Sequence, residues 1–438
     1  MRKTIFRKLD AKGLIANYNR FRKNLPSKLP QEIFVWDETL REGEGAPTVF
    51  LTYVEKVKLA KMLDDIGVAI INIGFPGSSD EEKKLVRRIS NESFKQAKLA
   101  ASARTTRSDI DSCLGCGLRE VSVFTYFNEL NLKYNLKANK QEILEKTVDC
   151  IEYAKRHGVT VNLVLEDASR TPLNEALQIF EAAAKAGATR LVIADTVGFM
   201  RPLSMRYFIS RIRKGLSQLL NKSVPLAIRC HNDFGLATAN TLAAIEEGVS
   251  YPQTCVAGFG ERAGLAPMEE VVLALEILYN IDTDINVKKL HRLSQLTEKT
   301  FASLLQSHKP IVGEDAFSHV SDKHIHGMLA HPLIYEPFPP KMIGRETTFY
   351  LGRQTGRQLI QNRLALAGIK ATSRHVDEIA RRVRRSEETL DKGEMLMTFY
   401  QIRKLLREMR KGLTEEDFWK IVERVTGQKP KFMPDLKK

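Results

Sequence analysis

One unit of the pattern that decides the fold runs from Val159 to Thr196, "VTVNLVLEDASRTPLNEALQIFEAAAKAGATRLVIADT". It begins with a β-branched apolar run, continues with apolar residues at helical spacing, and ends in a second apolar run. Gly187 stands where the helical segment stops, as is common at the C-termini of helices. The stretch therefore predicts a strand, a helix and a second strand.

The same alternation recurs along much of the chain. The runs that we interpret as strands are "EIFVWDETL", "VAIINIGF", "KLAASAR", "EVSVFTY", "VTVNLVLED", "TRLVIADT", "VPLAIRCH" and "YPQTCVAGF". Eight strand–helix units over roughly 250 residues match a (β/α)8 TIM barrel, with an open doubly wound sheet as the alternative. We expect this α/β barrel at residues 32–285, between a basic N-terminal extension at 1–31 and mainly helical, lid-like C-terminal subdomains at 286–438.

The composition is typical of a globular protein of the cytoplasm. Of 438 residues 43% are hydrophobic, yet no apolar run approaches the roughly 20 residues that a membrane span requires. The N-terminal residues are basic and lack the apolar core of a signal peptide. The five cysteines are sparse and odd in number, which favours free thiols over a disulfide framework.

The net charge of +15 is compatible with several anionic partners, including nucleic acids and small anionic molecules. The basic runs are interspersed with acidic and apolar residues at helical spacing, which is typical of solvated helix faces. No RNA-binding or zinc-finger motif accompanies them. We therefore expect no nucleic-acid or membrane partner, and consider steering of an anionic substrate as the alternative role of the charge.

Polar residues gather where the apolar runs end, which in a TIM barrel is the rim that carries the active site. An arginine beside an acid can hold a substrate carboxylate, while the acid binds a divalent cation. Polar caps or a surface ion pair would explain one or two of these positions. The rim residues are the stretch from Asp37 to Arg41 with Glu42 after it, and Arg104, Glu166, Asp167, Asp195, Thr196, Arg229 and His231.

Four of the nine histidines lie in one short segment after the barrel, "GEDAFSHVSDKHIHGMLAHP", residues 313–332. A group of surface histidines is one interpretation. A lid that carries a catalytic histidine is the other.

Several of these segments together resemble the DRE-TIM metallolyase superfamily. They are "DETLREGEG", "INIGFPGSS", "EDASR", "ADTVG", "CHNDFGLATANTLAAIEEG" and "GFGERAG". The resemblance is strongest to the acyl-CoA-dependent Claisen-condensing branch, which holds 2-isopropylmalate, citramalate and homocitrate synthases, and "GEDAFSH", "YEPFPPKMIG" and "TGRQLI" extend it beyond the barrel. Glu42 after Arg41, and "YEPFPP", are similar to the homocitrate synthase type.

The resemblance implies a condensation of acetyl-CoA, or another acyl-CoA, with a 2-oxo acid in amino-acid biosynthesis. It also implies a homodimer in which the C-terminal region of one subunit reaches the barrel of the other. We expect catalytic roles for Arg41, Glu166, His324 and Tyr335, with His319 as a weaker candidate. We expect substrate contacts from Arg104, Asn131, Thr196 and Arg229. The expected metal ligands are Glu42 and His231, and the metal would be Zn, Mn or Mg.

The sequence departs from the family at the metal site itself. The family carries His-x-His-Asn-Asp at the end of the seventh strand, and Arg229 occupies the first histidine position here. A guanidinium stays charged and cannot ligate a metal, which argues against an ordinary metal site. We hypothesise that Arg229 takes part of the metal's place and contacts the oxo acid or its enolate.

Other departures leave the reaction open between alternatives. Asn72 replaces a common Glu, and Asn131 lies where homocitrate synthases carry an Arg that reads the distal carboxylate. The alternatives to condensation are a carbon–carbon lyase or aldolase without acyl-CoA, and a non-catalytic regulatory homologue.

Overall fold

The first eight strands close into a parallel barrel in which each strand pairs with the next and β8 pairs with β1. This computed structural model describes residues 14–386, 391–409 and 413–429. It confirms the predicted (β/α)8 fold. The strands are Trp36–Asp37 (β1), Ile70–Asn72 (β2), Lys98–Arg104 (β3), Glu120–Tyr126 (β4), Thr160–Glu166 (β5), Arg190–Asp195 (β6), Leu226–Cys230 (β7) and Tyr251–Thr254 (β8).

Helices pack around the barrel, and their ends follow local sequence signals. The first helix begins after a capping box between Thr52 and Glu55. The helix after β5 ends at Gly187, which adopts a left-handed conformation as the sequence predicts. The barrel helices are Tyr53–Ile66, Asp80–Ser90, Arg107–Gly115, Lys140–Arg156, Leu173–Ala186, Pro202–Leu220, Ala237–Glu246 and Met268–Ile277.

The interior of the barrel is filled by one small apolar cluster, separate from the larger core between strands and helices. Its buried members are Trp36, Ile70, Ala100, Val164, Val192, Ala194 and Ala227. Because side chains alternate along a strand, residues an even number of positions further on also face inward, at the barrel mouth. This inward set comprises Glu38, Asn72, Ser102, Tyr126, Glu166, Thr196 and Arg229.

The strand β1 is shorter than the apolar run "EIFVWDETL" suggests. The chain turns after Asp37 because the Thr39 N–H and hydroxyl both donate to the Asp37 carboxylate, at 2.9 and 2.7 Å. The Glu42 N–H then donates to the Glu38 carbonyl at 2.8 Å, as in a helical turn. This turn carries Arg41 and Glu42 onto the mouth of the barrel.

The C-terminal region is mainly helical, as expected, but it also contains two short parallel strands that the sequence analysis did not anticipate. These are Ser318–His319 (β9) and Thr348–Phe349 (β10). Over the described residues, no helix is long and apolar enough to cross a membrane. The helices of this region are Leu290–Thr300, Asp322–Ala330, Arg357–Leu366, Ser373–Ser386, Lys392–Met409 and Glu415–Thr426.

Candidate active site

Arg229 lies at the centre of an ion-pair network in the barrel mouth. It points inward from β7, and its side chain is only 5% exposed. One terminal nitrogen, Nη1, donates to Glu42 Oε1 at 2.7 Å, and the other, Nη2, donates to Glu166 Oε1. Burial alone would lower the pKa of Arg229, but Glu166 and Glu42 raise it further above its usual range. The residue is therefore a fixed positive charge.

Glu42 is shared between two guanidinium groups. Arg41 Nη1 donates to the same Oε1 atom that Arg229 contacts. Burial would raise the pKa of Glu42, yet Arg41 and Arg229 outweigh it and lower that pKa to about 2. The Arg41 side chain is 24% exposed, and among the described residues only one of its five N–H groups donates a hydrogen bond, to Glu42. The other N–H groups are therefore available to a ligand in the mouth.

Glu166 is held from both sides at the end of β5. Its Oε1 accepts from Arg229, and its Oε2 accepts from the Thr196 hydroxyl at 2.8 Å. The same hydroxyl accepts from the Asp167 N–H at 2.8 Å. The donor of Thr196 is therefore directed at Glu166 and not into the open mouth.

The residues present do not fit a divalent metal. His231 lies beside Arg229, and burial together with that positive charge lowers the pKa of the His231 imidazole. Glu42 already bonds two guanidinium groups, and a dication 4 Å from a guanidinium would meet repulsion of roughly 8 kcal/mol at an effective dielectric of 20. Within the described ranges, no three His, Cys, Asp or Glu side chains are grouped as a metal site.

Two of the predicted substrate contacts lie at the edge of this network. Arg104 bonds Asp109 through Nε at 2.8 Å and the Gly77 carbonyl through Nη2 at 2.8 Å. Asn131 Nδ2 donates to Asp167 Oδ2 at 3.2 Å. Both side chains are occupied with structural partners, so their contact with substrate stays a prediction.

The two predicted acid–base residues of the C-terminal region lie against each other. The rings of His324 and Tyr335 stack with their centres 4.0 Å apart. The centre of the His319 ring is 6.1 Å from that of His324, and His319 Nε2 lies 3.8 Å from Glu336 Oε1. In the part of the chain that the structure describes, no hydrogen bond, ion pair or ring contact joins His324 or Tyr335 to the barrel mouth.

The sequence analysis did not single out Glu38 as a site residue. Its carboxyl accepts from Asn72 Nδ2 at 2.9 Å, and Asn72 also donates to Ser102 Oγ at 3.1 Å. Burial raises the pKa of Glu38 to about 8, although Arg229 opposes this. Asn72 was noted only as a departure from a common Glu. Two signals in the sequence could have identified Glu38. It lies two positions after Trp36, which faces the interior, and its carboxyl could substitute for the Glu that Asn72 replaces on the neighbouring strand.

Comparison with known proteins identifies the family. Residues 32–297 match the family model "HMGL-like", which is more than half of the chain. The chain belongs to the HMGL-like family. Residues 311–391 match a second model, "Homocitrate synthase post-HMGL domain-like", and the two matches together confirm the resemblance on which the sequence analysis relied.

Two archaeal relatives of similar identity to this chain are named as different synthases. The 2-isopropylmalate synthase of Methanocaldococcus jannaschii is 38% identical over 91% of this chain and 73% of its own length. A homocitrate synthase of Methanopyrus kandleri is 39% identical over 81% of this chain and 88% of its own length. Among solved structures, the HMG-CoA lyase of Bacillus subtilis has a TM-score of 0.56 at 20% identity, covering 63% of this chain and 96% of its own, which supports the fold alone.

Proposed function

We propose that this HMGL-like protein condenses the acyl group of acetyl-CoA, or another acyl-CoA, with a 2-oxo acid, and that Arg229 supplies the positive charge that a metal gives in relatives. The observation that carries the proposal is the placement of Arg229 between Glu42 and Glu166, beside Arg41. The mouth thus keeps a fixed positive charge that holds both carboxylates, although one metal-ligand position is lost. Relatives named as synthases of 2-isopropylmalate and of homocitrate support a condensation.

The residues of the mouth suit the charge changes of such a reaction. A base removes a proton from the acyl group next to its thioester, and the resulting carbanion adds to the keto carbon of the oxo acid. The carbonyl π electrons move onto oxygen, where the exposed N–H groups of Arg41 stabilise the alkoxide. The alkoxide takes up a proton, and water cleaves the thioester to release CoA as a free thiol.

Arg229 is more deeply buried than Arg41 and acts on the substrate indirectly. Two arginines and two glutamates, Glu42 and Glu166, make a neutral set before any ligand binds. Because Arg229 is pinned by two ion pairs, its charge is held in place without reorganisation during the reaction. Arg41 remains the group exposed to the substrate, and Arg229 is a positioning residue for both carboxylates.

His324 and Tyr335 are proposed to act in the barrel of a second copy of the chain. Among the described residues, no hydrogen bond, ion pair or ring contact joins the stacked pair to the mouth of its own barrel. The resemblance to condensing synthases supports a homodimer in which the C-terminal region reaches across. In that arrangement the pair would supply acid–base chemistry from above the mouth.

Release of free thiol from acetyl-CoA tests the proposed function. Purified protein is assayed against a panel of 2-oxo acids that includes pyruvate, 2-oxoisovalerate and 2-oxoglutarate. We expect thiol release with at least one oxo acid and none without an oxo acid. Turnover of an oxo acid or hydroxy acid without any acyl-CoA would favour a lyase or aldolase instead.

A further inference from the structure

Glu38 is a carboxyl group of the barrel mouth that the proposed reaction does not use. Its side chain is 1% exposed. Oε2 accepts from Asn72 Nδ2 at 2.9 Å, whereas Oε1 is buried and has no hydrogen-bond partner among the residues that the structure describes. Because an unpaired buried polar atom costs free energy, such an atom calls for a ligand or an ordered water.

Asn72 fixes the orientation of the Glu38 carboxyl group. The Asn72 amide donates to Glu38 and to Ser102, and its Oδ1 accepts from the Gly74 N–H at 3.3 Å. The amide orientation is set by these three bonds, so Glu38 Oε2 faces a donor. Any proton on the Glu38 carboxyl therefore lies on Oε1, the oxygen without a partner.

Burial favours the neutral form of the Glu38 carboxyl, because a buried charge without a partner is costly, while Arg229 opposes this. The groups that face it are Arg229, Glu42, Arg41 and Asp37. Since Arg41 and Arg229 are already balanced by Glu42 and Glu166, an ionised Glu38 would make the mouth negative. A negative mouth would repel a 2-oxo acid, whereas a carboxylic acid could donate to it.

We propose that Glu38 binds the 2-oxo acid as a neutral carboxylic acid, donating a hydrogen bond from Oε1 to a carboxylate or oxo oxygen of the ligand while Asn72 holds Oε2. This inference rests on the proposed function, because it takes the oxo acid as the ligand of the mouth. It makes Glu38 a specificity-determining residue. A ligand that lacks an acceptor oxygen on the β1–β2 side of the mouth leaves Oε1 unpaired and binds more weakly.

Isothermal titration calorimetry of the full chain with pyruvate, 2-oxoisovalerate and 2-oxoglutarate, without acyl-CoA, tests this role. Glu38→Leu removes the donor and is expected to weaken binding about 10- to 100-fold. Glu38→Gln keeps an N–H donor in the same place and should bind within about threefold of the wild type. Ser122→Ala is the matched control. It removes a buried hydroxyl that, like Glu38 Oε1, has no hydrogen-bond partner among the described residues. The affinity for the oxo acid should not change.

A second variant covers the event that Glu38→Leu does not fold. Asn72→Ala leaves the carboxyl in place but without its orienting donor, and is expected to weaken oxo-acid binding about tenfold. In every variant that folds, the affinity for acetyl-CoA should be unchanged, which a general structural defect would not allow.

The outcomes separate the inference from the proposed function. Equal oxo-acid affinity of Glu38→Leu and wild type would overturn the inference and show that Oε1 has only a structural role. A loss in Glu38→Gln as large as in Glu38→Leu would overturn the neutral-donor role. If no oxo acid binds the wild type, the inference and the proposed function fail together. If oxo acids bind through Glu38 but no thiol is released, only the proposed function fails.

Discussion

Arg229 and Glu42 form a buried ion pair across the mouth of the barrel, with 2.7 Å between Nη1 and Oε1. Arg229 lies in the seventh strand and Glu42 follows the first strand, at the positions where the resemblance to condensing synthases implies a metal-binding histidine and acid. One guanidinium therefore joins the ligand positions that a metal would join.

Arg229→Met should destabilise the fold by about 3–5 kcal/mol, because it leaves Glu42 and Glu166 buried without their shared cation. Urea denaturation followed by circular dichroism gives the change in the free energy of unfolding. Arg206→Met is the matched control, since Arg206 pairs with Glu246 while 47% exposed and should contribute at most about 1 kcal/mol. Equal effects of the two substitutions would contradict a buried network.

The raised pKa of Glu38 predicts a specific dependence of stability on pH. The pKa is about 8 in the folded protein and 4.5 for an ordinary glutamate, so the folded state binds more protons between these values. Its contribution to stability is complete below pH 4.5 and is lost as the pH rises through about 8. Glu38→Gln cannot titrate at this position. As the pH rises from 5.5 to 8.5, the melting temperature of the wild type should therefore fall by several degrees relative to that of Glu38→Gln.

The difference between the two melting temperatures is the informative quantity. The carboxyl of Glu269, whose pKa burial raises to about 7, titrates in both proteins and cancels. Asp37, whose pKa burial also raises to about 7, titrates in both proteins too, so only its interaction with Glu38 contributes to the difference. A difference that is constant across this pH range would contradict a neutral Glu38.

Arg41→Lys should lower kcat/KM for thiol release about 100-fold. The lysine keeps the charge, but it loses the planar fork of donors that Arg41 presents beside Glu42. Arg107→Lys serves as the control, because Arg107 forms an exposed ion pair with Asp149 of a neighbouring helix and should leave kcat/KM near the wild-type value. Little effect in Arg41→Lys would remove Arg41 from the chemistry.

Mixed dimers test whether His324 acts in the barrel of a second copy. Arg41→Ala and His324→Ala should each be inactive, yet dimers reassembled from an equal mixture should recover about one quarter of the active sites. A mixture of Arg41→Ala with Glu166→Ala should recover none, because both defects lie in the same barrel mouth. No recovery in the first mixture would contradict the action of His324 in the barrel of a second copy.

The barrel was predictable from the sequence because each strand and helix carries its own periodic pattern, as the unit at 159–196 shows. The identities of Arg229, Glu42 and Glu166 as rim residues were also predictable, since each follows an apolar run. Their pairing was not, because it depends on where three separate strand ends meet. Glu38 was not singled out because it lies inside the run "EIFVWDETL" between residues with clearer chemistry, although alternation from Trp36 places it on the inward face.

Metal analysis of the purified protein tests most directly whether Arg229 replaces the metal. Plasma mass spectrometry of the wild type should find far less than one equivalent of zinc, manganese or magnesium, and thiol release should persist in EDTA. Arg229→His, measured beside it, should gain metal, because it frees Glu42 and adds an imidazole next to His231. One equivalent of tightly held metal in the wild type, required for thiol release, would contradict the replacement of that metal by Arg229.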